Sequence, residues 1–159
     1  MIYSKKTNRN NAPPRPDDDF QSVILDLARV TRVQRGGKRL RFRVTVGLGN
    51  KKGTIGIGIA KGADVSMAVE KATRRARKNV IQIKITEDKS IPHNVTTKYK
   101  ASLILLKPAP AGTGLKAGGV IRTLCDLVGI ENISAKILGS NNKICNSQAL
   151  INAFSEFKH

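Results

Sequence analysis

Arg39, Arg41 and Arg43 alternate with Leu40, Phe42, Val44 and Val46. Successive side chains on a strand point to opposite faces, so this spacing predicts guanidinium groups on one face and apolar groups on the other. One face can join a core while the other meets a polyanion. The cations continue to either side: between Leu27 and Ala63 there is no Asp or Glu, while Arg29, Arg32, Arg35, Lys38, Lys51, Lys52 and Lys61 are all positive. A second set, Lys71, Arg74, Arg75, Arg77 and Lys78, follows a short distance on. The chemistry these residues offer is phosphate neutralisation.

Catalytic chemistry is thin by comparison. His93 and His159 are the only histidines, and no acid or nucleophile stands at a recognisable spacing from His93, which reads as structural. Cys125 and Cys145 form neither a CxxC pair nor a His-flanked set, so zinc and a disulfide framework are both set aside and the two read as small buried hydrophobes. Two glycine-rich stretches are candidates for phosphate loops. GTGLKAGG, Gly112 to Gly119, precedes a helical pattern and carries Lys116, but it is neither GxxxxGK[ST] nor GxGxxG. Its glycines suit either a tight turn or the backbone phosphates of RNA. GSNNK, Gly139 to Lys143, reads as a helix cap first and a phosphate contact second. No cofactor, metal or small-molecule substrate is expected.

Bulk properties point the same way. The 159 residues carry a formal charge of +18 with 40% hydrophobic content, enough for a packed core and too much for a disordered chain. A single-sign field of this size repels itself unless a partner neutralises it. Nucleic acid is the natural partner, because lysine and arginine contacts release counterions condensed on phosphates. An anionic membrane ranks behind, since no apolar run is long enough to span one. Aromatics make up only 4%, which favours recognition of duplex shape and phosphates over base stacking. The N-terminal stretch has no apolar signal-peptide region, and a cytosolic protein is expected.

The elements that must hold these cations read as follows. Residues 1–19 form a basic, Pro-rich stretch expected to be a flexible tail when free. Ser22–Val33 is a strand, Gly36-Gly37 a basic turn, Arg39–Val46 the next strand, and Gly47–Gly53 a second turn in which Asn50 suits a left-handed backbone. TIGIGIAKG then sets Ile55, Ile57 and Ile59 on one face and Gly56 and Gly58 on the other, where another element must approach closely. Asp64 caps a helix to about Asn79 whose core stripe is Val65, Ala68, Val69, Ala72 and Ala76. Further strands are expected at Val80–Thr86, Val95–Tyr99, Ala101–Leu106 and Ile133–Leu138. A loop at Lys107–Gly119 leads into a helix at Val120–Val128 capped by Gly129, and a last helix spans Ile144–Phe157. The fold class is α+β, with domains over residues 20–88 and 89–159.

The order GGKRLRFRVTVGLGNKKGTIGIGIAKG, a basic helix, IPHNV, LLKPAPAGTGLKAGGVIR and AKILGSNN resembles the bacterial small-subunit ribosomal protein five family, from about Leu25 to Phe154. The resemblance implies an N-terminal β-β-β-α module like a double-stranded-RNA-binding domain and a C-terminal α/β domain with a left-handed βαβ crossover. It implies a structural constituent of the small subunit and no enzyme: a protein bound to small-subunit rRNA where head and body meet, beside ribosomal proteins four and eight and near the mRNA entrance, supporting decoding accuracy. The rRNA-binding residues would be Arg32, Arg35, Gly36, Gly37, Lys38, Arg39, Arg41, Arg43, Lys51, Lys52, Arg74, Arg75, Arg77 and Lys78. The loop from Arg35 to Arg41 would be the one where changes alter spectinomycin sensitivity. Lys107, Gly112, Thr113, Gly114 and Arg122 would meet neighbouring proteins, with Gly114 and Arg122 at the contact with protein four. A free double-stranded-RNA-binding or ribosome-assembly factor is the alternative.

Three departures stand out. The family's turn GDGNG is here Gly49-Asn50-Lys51-Lys52-Gly53, with its acid replaced and charge added. GIAKG stands where the family often has GYGKA, and Lys143 where a proline is usual.

Overall fold

A computed structural model describes residues 20–157; the expected N-terminal tail and His159 lie outside the described residues. The first sheet is antiparallel in sequence order: β1 (Gln21–Gln34), β2 (Gly37–Gly49), β3 (Thr54–Gly62) and β4 (Val80–Gln82), with α1 (Val65–Lys78) between the last two. The second sheet runs β5 (Val95–Tyr99), β6 (Ser102–Pro108), β8 (Ile133–Ile137) and β7 (Leu115–Lys116). Here α2 (Gly119–Val128) crosses from β7 to its parallel neighbour β8, and α3 (Lys143–Glu156) follows. This is the expected α+β architecture, a β-β-β-α module followed by an α/β unit.

Glycine decides how the first sheet is covered. A Cβ on Gly58 would lie 1.9 Å from the Ala72 carbonyl oxygen, and one on Gly56 would lie 2.5 Å from that of Ala76. Only bare backbone lets α1 settle this close. The helix answers with Ala68, Ala72 and Ala76, all fully buried, the first two packed in one cluster with Val44, Val46 and Ala60. Val65 and Val69 of the expected stripe are only half-buried, so the seam is narrower than the sequence pattern. The opposite face of the sheet is covered by α2. A Cβ on Gly49 would meet the Leu127 carbonyl oxygen at 2.3 Å, and one on Gly47 would meet Leu124 Cδ2 at 2.9 Å.

The two sheets share one apolar core. Leu25, Ile55, Ile57 and Ile83 pack in the same cluster as Ile104, Ile121, Leu124, Leu150 and Phe154. Backbone bonds close the seam, with the Lys51 amide donating to the Leu127 carbonyl and the Gly53 amide to that of Val128, both at 2.9 Å.

Several expectations need correcting. The strand expected over Val80–Thr86 stops at Gln82, because its partner β3 begins at Thr54 and pairs no further than Gln82. Ile83 and Ile85 keep the alternation but spend it on the shared core. β2 runs to Gly49, so the second turn begins only at Asn50. In that turn the left-handed residue is Lys51, at φ 57°, and not Asn50. Asn50 instead accepts the Lys52 and Thr54 amides on its side-chain oxygen at 2.9 and 3.1 Å. The Lys107–Gly119 loop contains β7, whose two residues are defined only by pairing with β8. Lys143 begins α3, and Asn142 caps it by accepting from Ile144 N and Cys145 N.

Candidate nucleic-acid interface

The cationic surface grows from an inequality in strand length. β3 ends at Gly62, opposite Phe42, so residues 37–41 of β2 have only β1 beside them. A two-stranded ribbon therefore extends past the sheet with Arg35 and Gly36 at its tip, and residues 31–41 are all exposed. Leu40 is 49% exposed, which corrects its expected place in the core: the apolar side of β2 meets α1 only from Phe42 onward. The arginine side has the complementary limit. From Thr45 inward it is buried beneath the second unit, so this face is open only at its outer end.

On the ribbon Arg32 stands directly opposite Arg39, and Val30 opposite Arg41. Like charges across a strand pair repel, and a two-stranded ribbon alone is marginal in water. A polyanion lying along it removes that repulsion. Arg32, Arg39 and Arg41 share a groove with Val30, Thr31, Gln34 and Lys61, without a carboxylate among the lining residues. Lys38 lies on the other side of the ribbon, opposite Val33, and Gly37 opens β2 with φ 143°.

Arg43 has a different setting. Its guanidinium is 3.8 Å from the Asp26 carboxylate, whose other oxygen is 3.3 Å from Lys143 Nζ, and Arg43 Nε is buried without a partner. It ties the root of the ribbon toward the start of α3. The helix cations also divide. Arg74 pairs with Glu70 at 3.0 Å, while Arg75 Nη1 donates to the Ile59 carbonyl at 2.6 Å. Arg75 and Lys78 line a second groove with Lys61, Lys71, Arg74 and Ala60. Arg77 is exposed in the last turn and lies outside that lining.

The expected protein-contact residues fall in two adjoining depressions. Arg122 lines a cleft between the two units, of about 580 Å³, with Lys51, Asp126, Lys89 and Glu131. Gly112 and Gly114 line the neighbouring groove, which shares the Lys89–Glu131 ion pair. Both glycines have positive φ, 87° and 75°, with open space around them, so backbone conformation selects them here. The Thr113 amide donates to the Pro110 carbonyl, and Lys107 stands apart, exposed near the end of β6. Lys52 is exposed in the Asn50 turn, away from all these grooves' linings.

Asn132 organises this region, although nothing in the sequence around it marks it. Its Oδ1 accepts the Gly114 amide and its Nδ2 donates to the Asp88 carbonyl, so one buried side chain ties the glycine loop to the connection between the sheets. A lone Asn in a sequence carries no mark of that duty. Lys61 was visible only as one cation in the acid-free stretch, and Asp26 only as the last acid before it.

Other reactive groups are quiet. Cys125 is fully buried, and burial pushes its thiol up to about 12, so it stays protonated and unreactive. Cys145 is half-buried. His93, itself exposed, packs edge-on against the buried Phe157 ring, centroids 5.1 Å apart. Among the described residues no group of three or more His, Cys, Asp or Glu could hold a metal ion, and no helix is long and apolar enough to cross a membrane.

Comparison with known proteins matches the family model "Ribosomal protein S5, N-terminal domain" to residues 20–84 and "Ribosomal protein S5, C-terminal domain" to residues 97–159. The chain is 42% identical over 153 residues to the small ribosomal subunit protein uS5c of Guillardia theta, covering 96% of this chain and 89% of that one. It is 45% identical over 141 residues to uS5 of Campylobacter jejuni, covering 89% and 95% respectively. With uS5 of Crocosphaera subtropica the identity is 40% over 153 residues, covering 96% and 87%. These are names of ribosomal structural proteins and not of enzymes. Two family models that together cover most of the chain, and relatives at 40–45% identity over nearly all of it, show that the chain belongs to the ribosomal protein S5 family.

Proposed function

We propose that this chain is a structural constituent of the small ribosomal subunit that clamps rRNA electrostatically at the junction of head and body. The observation that carries this reading is the exposed ribbon, where Arg32 opposes Arg39 with Arg41 alongside and no carboxylate in the groove. Such a ribbon is self-repelling alone and stabilised on phosphate. The helix cations Arg74, Arg75, Arg77 and Lys78 extend the clamp, with Lys51 and Lys52 near the seam between the units. Family resemblance supports the finer assignments: proteins four and eight as neighbours, the mRNA entrance nearby, and the ribbon tip as the spectinomycin-sensitive loop. Arg122, at the interdomain cleft near the Gly112–Gly114 loop, is the residue through which contact with protein four would support accuracy. Holding RNA helices of head and body in place raises the barrier to the movements that accept a wrong codon–anticodon pair.

The test replaces Arg32, Arg39 and Arg41 together by Gln and measures rebinding of the full chain to small subunits assembled without it. The slope of log K against log salt should fall by about 3, one unit for each phosphate no longer neutralised, while the urea midpoint stays within a few tenths of a molar of wild type. An unchanged slope removes the ribbon from the RNA interface. In the same reconstituted particles, Arg122→Gln should raise misreading without preventing assembly, and wild-type error rates would refute its role.

A further inference from the structure

The two grooves are lined by different elements and share one residue. Lys61 lines the ribbon groove with Arg32, Arg39 and Arg41, and it lines the helix groove with Lys71, Arg75 and Lys78. No carboxylate lines either groove. The position of Lys61 explains how it serves both. β4 pairs only with residues 54–56 of β3, so β3 beyond Gly56 has no strand on its outer side. The Ile59 carbonyl points to that open edge, because Arg75 reaches round from α1 to donate to it at 2.6 Å. Backbone groups on a strand alternate sides with period two, so the amide of Lys61 is turned to the same edge. Its side chain stands opposite Arg43, on the ribbon's arginine face. Lys61 thus offers an ammonium and a backbone N–H where a sheet face passes into a helix surface.

We propose that Lys61 joins the two grooves into one continuous phosphate track, which carries the sugar–phosphate backbone of an RNA from the β1–β2 ribbon over the open edge of β3 onto α1. This rests on the rRNA-clamp reading above and adds a path to it. Arg75 has a positioning part in the track: its bond to Ile59 fixes a cation at the edge and fills a carbonyl that an incoming strand would otherwise use. An edge held by Lys and Arg resists strand addition, which leaves it free for an anion. The track also gives RNA contacts an order: ribbon, then Lys61, then the last two turns of α1.

The decisive comparison is Lys61→Gln, Lys61→Arg and Lys98→Gln, each as full chain rebound to small subunits lacking the protein. Lys98 is an exposed cation on β5 of the second sheet, so its loss changes net charge equally without touching the track. Lys61→Gln should lower the salt slope by about 1, Lys61→Arg should keep it, and Lys98→Gln should leave it unchanged. Hydroxyl-radical footprinting of the rRNA should show one protected run in wild type that Lys61→Gln interrupts between the ribbon-dependent and helix-dependent parts. Equal slopes for Lys61→Gln and Lys98→Gln, or a footprint that Lys61→Gln leaves intact, overturn the track; an acidic protein surface at Lys61 would produce the second result. If the ribbon triple variant also binds as wild type, the clamp reading itself has failed. If the triple variant weakens binding while Lys61→Gln does not, the clamp stands and only the track is lost.

Discussion

The two ends of the first sheet solve opposite problems with the same strands. At its inner end, β2 and β3 lie between α1 and α2, and bare glycines set the spacing: Gly56 and Gly58 toward one helix, Gly47 and Gly49 toward the other. At its outer end, β1 and β2 leave both helices behind and carry Arg32, Arg35, Lys38, Arg39 and Arg41 into solvent. Gly36 and Gly37 at that end have nothing within 4 Å of an added Cβ. The inner end is thus specified by what cannot be added, and the outer end by charges that destabilise it until a partner arrives. A rigid, sterically fixed root is what lets a self-repelling ribbon stay extended and present its charges in register.

The largest expected effect breaks this contrast at the inner end. Gly58→Val would drive a side chain into the Ala72 carbonyl, whose oxygen lies 1.9 Å from the added Cβ. Backbone cannot yield as a flexible side chain can, so α1 must lift from the sheet, at a cost of about 3 kcal/mol or more. Gly36→Ala at the outer end should move stability by less than about 0.5 kcal/mol. Urea unfolding of both variants checks the pair, and comparable losses would show that the two ends are not differently constrained.

The inner end was largely legible in the sequence, and its legibility has a physical source. Alternating Ile and Gly in TIGIGIAKG announces a close approach, and an alanine stripe after Asp64 announces the helix that makes it. A glycine directly after Val128 predicts the end of α2, and Gly129 adopts φ 95° there against the Lys51 backbone. What the sequence hid depends on where neighbouring layers stop. Alternation assigns Leu40 to a face but does not say that α1 ends short of it. Ile83 and Ile85 alternate as a strand would, yet the missing pairing partner sends them into the core between the units. β7 exists only through β8, and Lys51 is left-handed where its amide donates across the seam to the Leu127 carbonyl. Of the site, the cations were legible as a set; their division into groove-lining, acid-paired and carbonyl-bound groups needed the third dimension.

A smaller effect sharpens the comparison at the joint between the two ends. Asp26 holds Arg43 at 3.8 Å and Lys143 at 3.3 Å, so one carboxylate ties the ribbon's root to α3. Asp26→Asn should cost about 1 kcal/mol, more than an exposed pair alone, because Arg43 is half-buried and loses its counter-charge. Lys143→Gln should cost only about 0.3 kcal/mol, since that side chain is 54% exposed. RNA affinity should move the other way for Asp26→Asn, because an acid leaves the cationic face. Chemical denaturation and the rebinding assay together check the opposite signs, and a parallel fall in both would mean that Asp26 serves the RNA surface directly.

The smallest effect tests how α1 is held over the glycine face. Asp64 caps the helix: its carboxylate accepts from the Ser66 hydroxyl at 2.8 Å and from the Val65 amide at 2.7 Å. These two bonds, the hydroxyl's first, hold its pKa below the ordinary carboxylate value of 3.8. A carboxylate whose pKa is lower folded than unfolded binds its proton more readily in the unfolded chain. Its contribution is therefore complete above the unfolded value and fades as pH falls through that value toward the lower folded one. Asp64→Ala should lower the melting temperature at pH 7, and Asp64→Asn should lower it less, because an amide oxygen still accepts from the backbone. The gap between wild type and Asp64→Asn should close as the melts are taken from pH 5 down to pH 2. A gap that stayed constant over that range would mean that the carboxylate's charge has no part in the cap, and that hydrogen bonding by the side-chain oxygens, independent of charge, is all that Asp64 contributes.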